Sequence, residues 1–187
     1  METTIVMQVL VVDGSIRLEK IKYSHAFQVF QAIDSNRKFL TPWLPFVQQT
    51  RSQEDTESFI RSILAESGEP KDEVFTVWYK SRFAGLIGLK ETDYLNQKTE
   101  IGYWLIESMT GKGIMTKSVK TLIDFLFGSM NMNRIQIKCG VGNYRSSAIP
   151  KRLGFTFEGV ERDGEKHQRS FIDLEVYSLL KNDYGKR

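Results

Sequence analysis

The spacing of apolar residues along the chain predicts strands in several separate stretches. Residues 13–22 alternate between polar and apolar positions, which is typical of a strand with one buried face. Three runs rich in β-branched and aromatic residues follow at Val74–Tyr79, Phe83–Leu89 and Lys98–Ile106, and short polar segments join them. These three runs predict an antiparallel meander.

Other stretches repeat apolar residues every three to four positions, which predicts helices. A short helix is expected over Ser24–Ala32, and a second begins at Ser52, where Asp55 completes a capping box, and ends at Gly68. Between them, "LTPWLPF" (Leu40–Phe46) is an aromatic and proline-rich loop. A third helix is predicted by one apolar face, formed by Met115, Val119, Leu122, Ile123 and Leu126.

The last third of the chain alternates strands and helices. "RIQIKC" predicts a strand, "NYRSSAIPKRLGF" a short helix that ends at Gly154, and two more strands are expected near 156–162 and 170–180. The order β-α-α-β-β-β-α-β-α-β-β predicts an α/β fold, with a mixed sheet and helices on both faces. Because no internal repeat or linker divides the chain, one domain spanning 1–187 is expected.

The composition excludes several classes of protein. The 187 residues include 26 basic and 23 acidic side chains without a clustered basic run, so nucleic acid is not an expected partner. Cys139 is the only cysteine, which excludes an intrachain disulfide and a cysteine-based zinc site. The apolar amino-terminal segment is too short for a signal peptide or a membrane span. We therefore expect a cytoplasmic protein with no metal and no membrane contact.

A glycine turn lies between the third run of the meander and the third helix. Gly111, Lys112 and Gly113 precede a helix start, where backbone N–H groups point outward at the positive end of the helix dipole. This arrangement predicts an anion site. The spacing matches neither a Walker A loop nor the dinucleotide fingerprint, since Thr116 replaces the third glycine of that fingerprint. From the turn alone, a tight connection that binds nothing stays an open alternative.

Three motifs in order resolve that alternative by resemblance. "EIGYWLI", "GKGIMT" and "NYRSSAIPKRLGF" resemble the GNAT superfamily of acetyl-CoA-dependent N-acetyltransferases, over a domain spanning 13–182. "FLTPWLPFV" and "FIDLEVYSLL" are similar to the branch that acetylates the amino termini of ribosomal proteins, in particular at serine. The resemblance implies a twisted, mostly antiparallel mixed sheet with helices on both faces. Its fourth and fifth strands would splay apart and hold acetyl-CoA.

The resemblance also implies which residues hold the cofactor. The pantetheine arm would pair with the strand end at Leu105, Ile106 and Glu107, and Asn143 would hydrogen-bond the same arm. Thr110 stands where the wider superfamily has Arg or Gln, and this departure weakens the side-chain contribution but leaves the backbone cradle. The pyrophosphate would lie on the backbone N–H groups of Gly111, Lys112, Gly113, Ile114, Met115 and Thr116.

Acetyl transfer to an amine needs a neutral nucleophile, a stabilised oxyanion and a proton for the departing thiolate. Many members of the superfamily donate that proton from a tyrosine at the position of Pro150 here. The close branch instead resembles this chain in having Ser146, which becomes the candidate acid at the cofactor; a simple helix cap is the alternative. Glu165 matches the base of that branch, with Glu100 as second candidate. The N–H near Ile106 is the expected oxyanion donor.

The acceptor remains open between three hypotheses. The first is a protein amino terminus, most specifically the serine of a ribosomal protein, with Trp43 and Phe46 lining the acceptor side. The second is a small amine such as a polyamine, an amino acid or an aminoglycoside, because the same fold accepts other substrates through changed loops. The third is a module that binds the cofactor without turnover. The resemblance also implies a homodimer.

Overall fold

A computed structural model describes residues 8–65 and 73–185 of the chain. Within them, one eight-stranded sheet has the order β1-β2-β3-β4-β5-β6-β8-β7. Neighbouring strands are antiparallel except β5 and β6, which run parallel. The strands are β1 (Val9–Val11), β2 (Ile16–Lys20), β3 (Val74–Tyr79), β4 (Arg82–Asp93), β5 (Lys98–Leu105), β6 (Arg134–Gly140), β7 (Thr156–His167) and β8 (Ser170–Leu180).

The helices are α1 (Ala26–Asp34), α2 (Arg37–Leu40), α3 (Gln53–Leu64), α4 (Ile114–Gly128), α5 (Tyr144–Arg152) and α6 (Lys181–Tyr184). Short 3-10 turns cover Tyr23–His25, Pro45–Gln48 and Glu107–Met109. The predicted capping box at Ser52 and Asp55 is present and starts α3. The predicted helix end at Gly68 lies outside the described residues. The short β1, α2 and α6 were not separately predicted, because each has too few residues for a period to be visible.

Helices cover both faces of the sheet, as predicted. Leu86 and Ile87 are neighbours in β4, and their side chains belong to two different buried clusters. One cluster joins the sheet to α1, α2 and α3, including Val29 and Ile60. The other joins it to α4 and α5, and the apolar face predicted for α4 is buried there. Burial of that face stabilises the docked helix far more than its intrinsic propensity does.

The sheet opens between β5 and β6. These strands pair only through Lys98–Arg134, Thr99–Ile135 and Glu100–Gln136. Beyond Glu100, β5 stays paired with β4 as far as Leu105, and β6 stays paired with β8 as far as Gly140. Each strand therefore follows its outer neighbour, and the two separate. The predicted splay is confirmed, but β1 makes the splayed strands the fifth and sixth rather than the fourth and fifth.

Candidate active site

Two adjacent clefts open where β5 and β6 separate. The smaller, of about 390 Å³, includes Leu105 and Met115 from the predicted cofactor site. The larger, of about 700 Å³, includes both predicted bases, Glu100 and Glu165. A shared set of side chains lines both clefts: Trp43, Leu44, Tyr103, Trp104, Asn143 and Ser146. A group bound in one cleft can therefore meet a group bound in the other at this shared wall.

The glycine turn has the backbone that its sequence suggested. Gly111 and Gly113 have φ angles of 73° and 72°, a left-handed conformation that favours glycine, and Gly113 caps the first turn of α4. A Cβ at either position would meet nothing within 4 Å, so the outer side of the turn is open. Free N–H groups of the first turn of a long helix, facing open space, fit a phosphate-bearing ligand.

The side chains around this turn are less available than its backbone. Lys117, one turn into α4, pairs with Asp13 at 2.8 Å, so its amine is not a free counter-charge for a phosphate. That hydrogen bond, with others from the Ser15 backbone and hydroxyl, holds the pKa of Asp13 well below its usual range. Lys112 is exposed, and its amine lies 4.0 Å from the sulfur of Met109. Further along, Ile114 and Met115 are buried and Thr116 is half-buried, so these three can offer N–H groups rather than side chains.

The start of α5 positions Asn143 and Ser146. The Asn143 Oδ1 accepts the backbone N–H of Ser146 at 3.2 Å and so caps the helix. The Asn143 amide nitrogen makes no hydrogen bond within 8–65 and 73–185, which leaves it free to donate to a ligand in the smaller cleft. The cap also fixes the first turn of α5, so the Ser146 hydroxyl is held at the wall between the clefts.

Pro150 changes the hydrogen bonding of Ser146. Proline has no N–H, so the carbonyl of Ser146 lacks its usual partner four residues later in the helix. The Tyr103 hydroxyl, which comes from β5 across the opening, donates to that carbonyl at 3.1 Å. The Ser146 hydroxyl in turn donates to the Tyr103 oxygen at 3.4 Å, and the Cys139 sulfur lies 3.2 Å from Ser146 Oγ.

Burial keeps both neighbours of Ser146 neutral. Desolvation raises the pKa of the Tyr103 phenol well above its usual range, and it raises the pKa of the Cys139 thiol to about 11. The contact between Tyr103 and Ser146 was not predicted from the sequence. The available signal was Pro150, because a proline inside a helix predicts an orphaned carbonyl that some other donor must satisfy.

The end of β5 corrects the expected oxyanion donor. The N–H of Ile106 donates to the carbonyl of Ala84 at 2.9 Å, so it is not free to stabilise an oxyanion. The next N–H, of Glu107, donates to the Asn36 side-chain oxygen at 3.1 Å. Leu105 is the member of the predicted pantetheine strand that lines the smaller cleft. Hydrogen bonding with β4 continues as far as Ile106, so the N–H group that the resemblance assigned to the oxyanion is already hydrogen-bonded within the sheet.

The two candidate bases lie in different surroundings. Glu165 comes from β7, and its Oε2 is 2.7 Å from Nε2 of His167, a contact that was not predicted from the sequence. Glu100 comes from β5 and its side chain is 13% exposed. Burial raises the pKa of Glu100, and the amines of Lys90 and Lys138, 3.8 and 3.9 Å away, partly offset this effect. Both carboxylates face the larger cleft, so neither is excluded by position.

Trp43 and Phe46 lie at the larger cleft, and Trp43 reaches the smaller one as well. Trp43 packs against the end of β6, where a Cβ on Gly140 would lie 3.4 Å from the indole and 3.1 Å from Ile172. Phe46 follows in the 3-10 turn and is 36% exposed. The absence of a side chain at Gly140 therefore lets the loop after α2 close onto the splayed edge.

Two further findings concern the described residues as a whole. Residues 8–65 and 73–185 contain no group of three or more His, Cys, Asp or Glu side chains arranged to hold a metal ion. The helices formed by these residues also include none long and apolar enough to cross a membrane.

Comparisons with known proteins agree with this geometry. Residues 15–156 match the acetyltransferase (GNAT) domain family. The ribosomal-protein-serine acetyltransferase of Escherichia coli (strain K12) is 30% identical over 171 residues, covering 90% of this chain and 94% of that protein.

Two solved structures are similar over most of their length. RimL, a ribosomal L7/L12 alpha-N-protein acetyltransferase in complex with coenzyme A, has a TM-score of 0.88 at 26% identity, covering 94% of this chain and 99% of that one. The microcin C7 self-immunity acetyltransferase MccE, in complex with acetyl-CoA and AMP, has a TM-score of 0.86 at 29% identity, covering 90% and 94%. The chain therefore belongs to the GNAT family of acetyltransferases and uses acetyl-CoA as its co-substrate.

Proposed function

We propose that this acetyltransferase modifies the α-amine of a protein amino terminus, most specifically the serine of a ribosomal protein. The observation that carries the proposal is the shared wall of the two clefts. Ser146 lines the smaller cleft, where the pantetheine arm would lie, and also the larger cleft, which contains both candidate bases. A thioester in the first cleft and an amine in the second would meet beside this hydroxyl.

Ser146 is assigned as the proton donor to the departing thiolate. Its hydroxyl hydrogen can rotate, so the same group that donates to Tyr103 can turn toward a sulfur in the smaller cleft. Tyr103 keeps the Ser146 carbonyl satisfied during that rotation. The thiolate then leaves as a thiol, and the serine recovers a proton from water or from the amine that has just been acylated.

Glu165 is assigned as the base, acting on the amine directly or through one water. An α-ammonium has a reference pKa of about 8, so a carboxylate can supply enough neutral amine near neutral pH. The His167 ring, 2.7 Å away, restricts the direction in which the Glu165 carboxylate points. Glu100 stays the alternative base, because its raised pKa and position in the same cleft suit proton removal.

The larger cleft, which we call the acceptor cleft, has room for several residues of an extended chain, and Trp43 and Phe46 flank it. The similarity to ribosomal-protein acetyltransferases over most of the chain supports this acceptor class. The pantetheine contacts proposed for Leu105 and Asn143, and the pyrophosphate contacts proposed for the glycine turn, belong to the same assignment. A cytoplasmic location, a homodimer and a lack of nucleic-acid binding stay predictions from sequence.

A small amine attached to a nucleotide is the second candidate acceptor. The observation that favours it is the similarity to MccE, whose solved structure is in complex with acetyl-CoA and AMP. Trp43 would give a nucleotide base an aromatic face at the shared wall. A polyamine or an aminoglycoside would use the carboxylates of the larger cleft instead.

The test is a comparison of acceptors at a fixed concentration of acetyl-CoA. Peptides with an amino-terminal serine are expected to be acetylated faster than spermidine, an aminoglycoside or an aminoacyl nucleotide analogue, measured by mass spectrometry. Labelled acetyl-CoA added to a whole-cell lysate would then locate the natural acceptor. Turnover of small amines alone would overturn the proposal in favour of the second candidate. Binding of acetyl-CoA without any turnover would assign a silent cofactor-binding module.

A further inference from the structure

A third, open pocket of about 700 Å³ lies outside the two clefts already described. The loop around α2 forms one side and the β7–β8 hairpin forms the other. Three positively charged side chains contribute to its lining, and no Asp or Glu is among the lining residues. The lining includes Arg37, Lys38, Pro42, His167, Arg169 and Ile172.

The three cations of this pocket differ in how they are held. Arg37 donates to the carbonyls of Val47 and Thr50 at 2.7 and 2.6 Å and pairs with Asp34 at 2.8 Å, so it has a structural role. Lys38 and Arg169 are exposed, and neither has an ion pair or hydrogen bond within 8–65 and 73–185. The contacts of Arg37 therefore fix its side chain, whereas the positive charges of Lys38 and Arg169 have no partner within the described residues and can pair with a ligand.

The pocket adjoins the acceptor cleft. Trp43 lines the acceptor cleft directly after Pro42 of the pocket, and Glu165 lines the cleft while its partner His167 lines the pocket. Ile172 of the pocket and Trp43 of the cleft both pack on the same residue, Gly140. Trp43 and Ile172 therefore lie between the acceptor cleft and the pocket that contains Lys38 and Arg169.

We infer that this basic pocket binds an acidic segment of the acceptor polypeptide, a few residues after the amino terminus that is acetylated. The inference rests on the proposed function, because a small amine would not extend so far. Carboxylates of the acceptor would pair with Lys38 and Arg169, which raises affinity and the rate of encounter rather than the rate of chemistry. RNA fits less well, because the lining has no Phe, Tyr or Trp on which bases could stack.

The experiment uses three peptides that share one amino-terminal serine sequence and differ only in a downstream segment, which is acidic, neutral or basic. They are assayed with wild-type enzyme and with a Lys38→Glu/Arg169→Glu variant. The variant is expected to raise KM for the acidic peptide roughly tenfold, with little change in kcat or for the neutral peptide. It should also prefer the basic peptide, and the wild-type preference for the acidic peptide should weaken with added salt.

The matched control is Lys98→Glu/Lys181→Glu, which changes the net charge equally. Both residues lie at the end of the sheet where β5 and β6 still pair, opposite the splay. This control is expected to keep the wild-type preference for the acidic peptide. A general effect of net charge would instead appear in both variants and would overturn the inference.

Other outcomes are equally distinct. Acetylation of all three peptides with equal KM would overturn the inference and leave the proposed function intact, whereas failure to acetylate any serine peptide would remove the proposed function itself. Competition by a single-stranded RNA, lost in the Lys38→Glu/Arg169→Glu variant, would assign the pocket to nucleic acid. Loss of self-association in that variant, measured by light scattering, would assign it to a contact between two copies.

Discussion

The smaller cleft, which we call the cofactor cleft, and the larger acceptor cleft have walls that are built in different ways. The cofactor wall consists of the end of β5, the glycine turn and the starts of α4 and α5, where caps and left-handed glycines set the backbone within a few residues. The acceptor wall consists of the loop after α2 and the β7–β8 hairpin, which are far apart in sequence and meet at Gly140. Changes to the first wall should therefore alter coenzyme A binding for every acceptor, and changes to the second should alter the choice of acceptor.

The largest expected effect lies at the wall shared by both clefts. Ser146→Ala should lower kcat by about a hundredfold to ten-thousandfold, the usual loss for one positioned proton-transfer group. The Kd for coenzyme A should change little, because Asn143 caps α5 through the backbone N–H of residue 146 and not through its side chain. Stopped-flow kinetics and titration calorimetry would measure the two quantities. Ser146→Thr, which keeps a hydroxyl, is the control, and an unchanged kcat in Ser146→Ala would remove this acid from the mechanism.

A comparison of the two carboxylates sharpens the assignment within the acceptor cleft. Glu165→Gln should lower kcat/KM by about a hundredfold near neutral pH, and the defect should shrink as pH rises, because more of the amine is then neutral without help. Glu100→Gln should have a smaller effect.

The pH profile separates the two bases. Burial raises the pKa of Glu100, so if Glu100 is the base, activity rises with pH through a pKa above the ordinary glutamate value. That limb should be absent from the profile of Glu100→Gln. Full activity of Glu165→Gln across the range from pH 6 to pH 9 would transfer the role of base to Glu100 or to water.

The glycine turn tests whether the cofactor wall acts through its backbone. Gly113→Val should raise the Kd for coenzyme A by about tenfold or more, because a branched side chain is strained at a φ of 72° and crowds the phosphate-facing side. Gly113→Asn tolerates the left-handed conformation and adds only the crowding, so it separates strain from steric contact. Calorimetric titration that gives wild-type affinity in a folded Gly113→Val variant would contradict the phosphate site.

The smallest expected effect concerns the hydrogen bonding between Tyr103 of β5 and Ser146 of α5. Tyr103→Phe should lower kcat about threefold to tenfold, since both hydrogen bonds between the Tyr103 hydroxyl and Ser146 are lost. The Kd for coenzyme A should stay within about twofold of wild type. A parallel melting experiment distinguishes positioning from general destabilisation, because a purely structural role would lower Tm and leave kcat of the folded enzyme unchanged.

Local signals explain which parts of the site could be predicted. A glycine turn before a helix and the start of a helix at Asn143 depend on neighbouring residues, so the positions of Gly113 and Asn143 at helix starts were predicted from sequence alone. The splay of the sheet was also predicted, although only through resemblance. These features determine the backbone of the cofactor wall.

Contacts between distant segments could not be read from the chain. The N–H of Ile106 is engaged by Ala84, and Lys117 is engaged by Asp13, because strand pairing and the β1–β2 turn bring those partners close. The pairing of Glu165 with His167 depends on both side chains lying on one face of β7, which a charged, irregular segment does not reveal. Tyr103 was missed because a buried tyrosine in a strand is ordinarily core.

Pro150 makes two arrangements of this active site mutually exclusive. Any other residue at position 150 would restore an N–H that competes with Tyr103 for the Ser146 carbonyl. Introducing the tyrosine that many superfamily members have at this position would therefore disturb Ser146 as well as add a phenol. Substitutions at 103 and 150 should be strongly non-additive, so an exchange of one proton donor for the other requires both sites to change together.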